Sequence, residues 1–151
     1  MSLINLLPQK IEEELRSNSL LKVISGLNNF DAQSVKTIVE AAALGGADLV
    51  DIACKPELVD IALKHSELHV CVSSVVPHSF IDSVKAGASL IEIGNYDSFY
   101  EKGINFSDEN VLNITKETRD LLPNVPLSVT VPHTMPTVSY THLTLPTNSS
   151  V

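Results

Sequence analysis

In four segments of this chain, β-branched or other apolar residues stand two apart with one polar or small residue between them. The pairs are Val50 and Ile52, Val70 and Val72, Ile91 and Ile93, and Val129 and Val131. Between them lie Asp51, Cys71, Glu92 and Thr130. A period of two marks β-strands with two unlike faces. The strands read as Leu20–Leu27, Ala47–Ala53, Leu68–Ser73, Ser89–Gly94 and Pro126–Val131. Segments of helical period separate them, at about Asn5–Arg16, Asp31–Leu44, Pro56–His65, Pro77–Ala86 and Asp108–Leu122. Asp31 and Ser107 are placed as N-caps, and Pro56 and Pro77 suit a first helical turn. Gly46 and Gly87 follow two helices where a left-handed residue is wanted. Strands alternating with helices predict an α/β fold with a parallel sheet.

Two architectures compete for this pattern: the first five β/α units of a (β/α)8 barrel, and a flavodoxin-like doubly wound domain. The first βα turn, Gly26 to Asp31, has no glycine-rich phosphate loop. A sheet covered on both sides is apolar on both faces, whereas a barrel alternates a helix-facing with a lumen-facing set. A polar or small residue at mid-strand in four successive strands therefore favours a lumen. An internal repeat agrees. Gly46-Ala47-Asp48-Leu49-Val50-Asp51-Ile52-Ala53 matches Gly87-Ala88-Ser89-Leu90-Ile91-Glu92-Ile93-Gly94, so the second strand resembles the fourth. Barrel interiors are layered by alternate strands.

Charge and composition narrow the partners. The chain has 151 residues, a formal net charge of −8 and two cysteines. A pI near 4.9 argues against a nucleic-acid backbone as partner. No apolar run approaches the roughly 18 residues that span a bilayer, and no secretory or transit pattern opens the chain. Residues 137–151, TVSYTHLTLPTNSSV, contain no Asp, Glu, Lys or Arg in a chain that is 19% charged. They show neither a helical nor a strand period, and they resemble translated adapter or vector DNA. The expectation is a partial barrel domain over 1–136 and a disordered, non-native tail over 137–151.

Residues 1–136 resemble a specific family, the hypothetical chloroplast reading frame number twenty-three of algal plastids and cyanobacteria. The resemblance is carried by Lys22-Val23-Ile24-Ser25-Gly26-Leu27-Asn28-Asn29-Phe30, Val50-Asp51-Ile52-Ala53, Cys71-Val72-Ser73 and Glu92-Ile93-Gly94-Asn95-Tyr96-Asp97. It continues from Glu117-Thr118-Arg119-Asp120-Leu121-Leu122-Pro123 to Val129-Thr130-Val131-Pro132-His133-Thr134. It implies an aldolase-type TIM barrel and a plastid stroma or cyanobacterial cytoplasm; it names no reaction and leaves the cofactor unknown. A member of that family continues through further barrel strands.

The candidate chemistry follows from the lumen-facing set. Asp51 and Glu92 occupy equivalent places in the repeat, so two inward carboxylates would share a layer and serve as a general acid and base. Lys22, inward with Ile24 and Gly26, would neutralise one of them or, desolvated, form a Schiff base. The plain alternative is a buried Lys–carboxylate network that satisfies only itself. His133 follows the fifth strand at the end where barrels carry catalysis. Asn28, Asn29, Ser73, Asn95 and Thr130 are candidate ligand contacts, each equally explained as turn or strand chemistry. Cys54 and Cys71 lack metal-ligand spacing and read as buried thiols. Three functions follow. One is a lyase-, isomerase- or aldolase-like enzyme of small molecules. Another is a metabolite-binding or regulatory protein. The third is an inactive fragment, which would self-associate through its open sheet edges.

Overall fold

The computed structural model describes residues 6–94, 96–100 and 102–131. Helix α1 (Gln9–Arg16) precedes strand β1 (Lys22–Gly26), and α2 (Ala32–Leu44), β2 (Leu49–Ala53), α3 (Pro56–His65) and β3 (His69–Ser74) follow. A 3-10 turn at Pro77–Ser79 leads into α4 (Phe80–Lys85) and β4 (Leu90–Ile93). Helices α5 (Asp97–Tyr100) and α6 (Asp108–Leu121) then lead to β5 (Leu127–Val129). Every strand pairs parallel with the next, in the order β1-β2-β3-β4-β5. The flavodoxin-like alternative is thereby overturned, because a doubly wound sheet reverses its strand order partway. Five consecutive β/α units in unbroken order form part of a (β/α)8 barrel.

Local chemistry explains the elements. The Asp31 carboxylate accepts the Ser34 amide at 2.6 Å and starts α2. Ser107 and Asn110 form a reciprocal capping box at α6. Pro56 stands in the first turn of α3. Gly46 and Gly87 take φ of +77° and +118° after α2 and α4, and at Gly87 a Cβ would also strike Leu63. Three elements depart from expectation. Helix α1 begins only after Pro8, which stands in extended conformation at its N-cap with Leu6 and Leu7 outside the helix; Asn5 lies outside the described residues. Strand β5 is three residues long and pairs with β4 through Leu127, Ser128 and Val129. The short α5 was not anticipated; Tyr96 and Phe99 pack there against Phe106, with ring centroids 4.8 and 5.4 Å apart.

The helices from α2 onward cover one face of the sheet. Val50, Ile52, Val70, Val72, Ile91 and Ile93 are all fully buried there with Val35 and Val39 of α2, Val59 of α3, Phe80 of α4 and Val111 of α6. Helix α1 alone turns to the other, concave face. Its Ile11 packs with Leu49, Cys71 and Leu90 in a second apolar cluster. Asp48 ties this helix down: its carboxylate faces Lys10 at 3.4 Å and accepts the Leu21 amide at 2.9 Å. Among the described residues, no helix is long and apolar enough to cross a membrane.

Candidate functional site on the concave face

Lys22 stands at the start of β1 and Glu92 on β4, three strand spacings away. In a flat sheet those strands would be about 14 Å apart, at about 4.8 Å per spacing. Yet Lys22 Nζ donates to Glu92 Oε2 at 2.6 Å. The sheet is therefore curled, and the two side chains meet across its hollow. Asp51 of β2 contributes Oδ2 at 3.7 Å from the same ammonium.

Each carboxylate is held on its other oxygen by a hydroxyl from the next strand. Ser73 of β3 donates to Asp51 Oδ1 at 2.6 Å, and Thr130, just after β5, donates to Glu92 Oε1 at 3.2 Å. The internal repeat thus extends beyond the strands that carry it. Two equivalent carboxylates, each steadied by a hydroxyl one strand further on, grip one ammonium. Gly94 makes the second half possible: its φ is +154°, and a Cβ there would collide with the Thr130 side chain.

Burial sets the protonation of these groups. Desolvation raises the Asp51 carboxyl to about 6; the Ser73 hydrogen bond pulls it down, Glu92 pushes it up, and Lys22 pulls it down again. Desolvation pulls Lys22 down, but the Glu92 hydrogen bond and the two carboxylate charges outweigh it, so its ammonium is held above the ordinary value. An amine held in its charged form is a poor Schiff-base nucleophile. The Cys71 thiol is raised well above its ordinary value, first by desolvation and then by the Asp51 and Glu92 charges.

Beneath the cluster lies a cavity of about 360 Å³. Leu7, Ile11 and Leu15 form one wall, Leu20, Leu49 and Leu90 another, and Lys22, Cys71, Glu92 and Ser128 supply its polar end. The structure thus brings together Lys22, Asp51, Ser73, Glu92 and Thr130. Asn29 serves its own loop instead: its amide donates to Ser25 Oγ at 2.9 Å and Ser34 Oγ at 3.0 Å. Asn28 is exposed at the C-terminal end of β1. Asn95, His133 and the segment 137–151 lie outside the described residues. Cys54 is a half-buried free thiol, and Cys71 is the buried free thiol that the sequence suggests. Its sulfur and one oxygen each of Asp51 and Glu92 all lie within 4.8 Å of one another. Its mid-strand place between the two carboxylate strands was the available signal.

Comparison with known proteins gives a family. The family described as "Protein of unknown function (DUF561)" matches residues 6–146. "Uncharacterized protein ycf23" of Cyanophora paradoxa is 51% identical over 130 residues, covering 84% of this chain and 53% of that protein. The protein of the same description from Antithamnion sp. is 38% identical over 130 residues, covering 86% and 47%. The chain spans about half the length of the curated relatives it matches. These relatives come from plastid-bearing organisms. A dihydropteroate synthase from Xanthomonas albilineans, solved with 7,8-dihydropteroate, aligns at 15% identity and a TM-score of 0.45, over 82% of this chain and 64% of that one.

Proposed function

The chain belongs to the ycf23 family, also described as DUF561, and from that premise we propose that its five β/α units form part of a barrel that converts a small molecule at the concave face. The Lys22–Glu92 pair at the polar end of an apolar-walled cavity carries this reading. A charged pair beside an apolar wall suits proton transfer on a small molecule, the chemistry shared by lyases, isomerases and aldolase-like enzymes. Glu92 is the proton acceptor and donor, and Thr130 fixes its carboxylate. Lys22 is the cation for negative charge developing on a substrate oxygen, with Asp51 and Ser73 behind it. Asn28, Asn29, Asn95 and His133 follow strands at their C-terminal ends and would line the rim of a closed barrel, at the opposite end of the strands from the cavity, which is lined by the strand starts Lys22, Leu49, Leu90 and Leu127. Residues 1–136 supply this domain in our reading, and 137–151 do not. The setting is the plastid stroma or the cyanobacterial cytoplasm, and the acidic chain has no nucleic-acid partner.

A second reading is binding without turnover. It is favoured by the fact that all four carboxylate oxygens already have partners within the chain. The experiment compares wild type with Glu92→Gln in a full-length family member carrying these residues. A metabolite set is screened by thermal shift and by substrate consumption. Turnover or a ligand-induced shift that Glu92→Gln abolishes, with the ligand-free Tm nearly unchanged, supports a functional site. Ligand binding without consumption selects the second reading. A large loss of Tm in Glu92→Gln, with no ligand found for wild type, makes the network purely structural.

A further inference from the structure

The cluster around Lys22 holds a group that the ion pairs leave out. Cys71 is 2% exposed and lies opposite Asp51 in the β2–β3 register. Its thiol has no hydrogen-bond partner among the described residues, yet it sits with the carboxylates of Asp51 and Glu92 and lines the cavity with Lys22 and Glu92. Charge is also unbalanced. With both carboxylates ionised, the one ammonium found there among the described residues leaves this cluster one negative charge in excess. Buried charge without compensation is costly.

We infer that Asp51, Cys71 and Glu92 form a site for one thiophilic divalent transition ion of the zinc type. Ligand atoms around a tetrahedral zinc, at about 2.0 Å for oxygen and 2.3 Å for sulfur, stand roughly 3.5 Å apart. The three donors here, all within 4.8 Å of one another, need to draw in by roughly an ångström, within reach of side-chain rotation. A carboxylate has about four lone-pair directions. Ser73 or Thr130 takes one on each and Lys22 another, which leaves both able to bind the ion.

The charge balance closes on metal binding. The ion displaces the thiol proton, which leaves to solvent through the cavity, and the sulfur binds as thiolate. Two carboxylates and a thiolate carry three negative charges; the divalent ion and the Lys22 ammonium carry three positive ones. With the ion bound, Glu92 is a ligand instead of the proton carrier of the metal-free reading, and Lys22 is a positioning residue beside the metal-bound carboxylates instead of the cation for a substrate oxygen. Three protein ligands leave a fourth position open toward the cavity, as catalytic sites require. The thiolate selects zinc-type ions over Mg²⁺ and Ca²⁺, which prefer oxygen donors. The site coincides with the cluster of the proposed function, yet the ion can be sought without any substrate.

The test is titration of the full chain with Co²⁺, a spectroscopic substitute for zinc. One equivalent is expected to bind and to give a thiolate-to-cobalt charge-transfer absorption in the near ultraviolet. Excess Zn²⁺ should abolish the band, and Mg²⁺ or Ca²⁺ should not. Cys71→Ser should remove the band while Cys54→Ser keeps it. Asp51→Asn should weaken Co²⁺ binding at least tenfold. Circular dichroism of each variant establishes that it is folded. Should Cys71→Ser fail to fold, wild type with and without Co²⁺ is compared for protection of Cys71 against a thiol reagent under mild denaturant. No stoichiometric band, a band that survives in folded Cys71→Ser, or unchanged protection would overturn the inference. Metabolite binding by the metal-free chain would leave the proposed function standing where the metal site fails.

Discussion

The two faces of the sheet are built from the same strands and differ at every second residue. On the helix side, Val50, Ile52, Val70, Val72, Ile91 and Ile93 are sealed from solvent under the helices from α2 onward. On the concave side, Leu49, Cys71 and Leu90 make a small apolar floor under α1. Lys22, Asp51, Ser73 and Glu92 form the charged layer, and Ile24 of β1 remains 54% exposed. One face is satisfied by shape alone. The other depends on a few directed contacts, each needing a particular partner. Alternation along a strand thus lets a single short segment, such as Val50-Asp51-Ile52, hold the fold and furnish the chemistry.

The contrast can be broken from either side. Ile52→Ala, on the sealed face, should have the largest effect, with about 2–5 kcal/mol lost in urea unfolding because a close-packed site relaxes little. An equal effect from a concave-face substitution would erase the distinction. Lys22→Met comes next, at about 2–3 kcal/mol near neutral pH, because it leaves two carboxylates facing each other without their cation. That loss should shrink in acid, where the Asp51 carboxylate takes up a proton; a pH-independent loss would mean that Lys22 acts by packing. Asp51 titration is the smallest. Its carboxyl is raised to about 6 in the folded chain, so the folded state binds a proton more tightly than the unfolded state. The sign is a destabilisation, absent below the unfolded carboxyl's range of about 4, growing as pH rises from there and complete once pH has passed about 6. Relative to Asp51→Asn, the wild-type chain should lose on the order of 1 kcal/mol between about pH 5 and 7 in thermal melts. A gain over that range would reverse the assignment of burial as the leading cause.

Much of this is legible in the sequence alone. The period-two pairs mark the sealed face, Asp31 and Ser107 begin their helices, and Gly46 and Gly87 end theirs. The convergence of Asp51 and Glu92 was legible because the repeat places them on alternate strands. What was hidden depends on distance along the chain. Nothing local to α1 says that its Ile11 meets Leu49 and Cys71 rather than the outer helices. Lys22 reaches a partner 70 residues away only because the sheet curls. The doubly wound alternative fell to strand order, which no strand's own composition encodes. The partners of Asn29 likewise come from its loop's conformation rather than from its residue type.

The 70-residue reach from Lys22 to Glu92 also orders events in time. During synthesis Lys22 emerges long before β4 exists, and its ammonium stays hydrated until β2, β3 and β4 have paired in turn. The helix-facing contacts are made between neighbouring β/α units, close in sequence, and loop-closure entropy favours their forming first. The hollow therefore closes last. Lys22 and Glu92 should give φ-values near zero in refolding, while Val50 and Val70 report the nucleus. Substitutions at the ammonium would then change how long the folded chain survives rather than how quickly it forms.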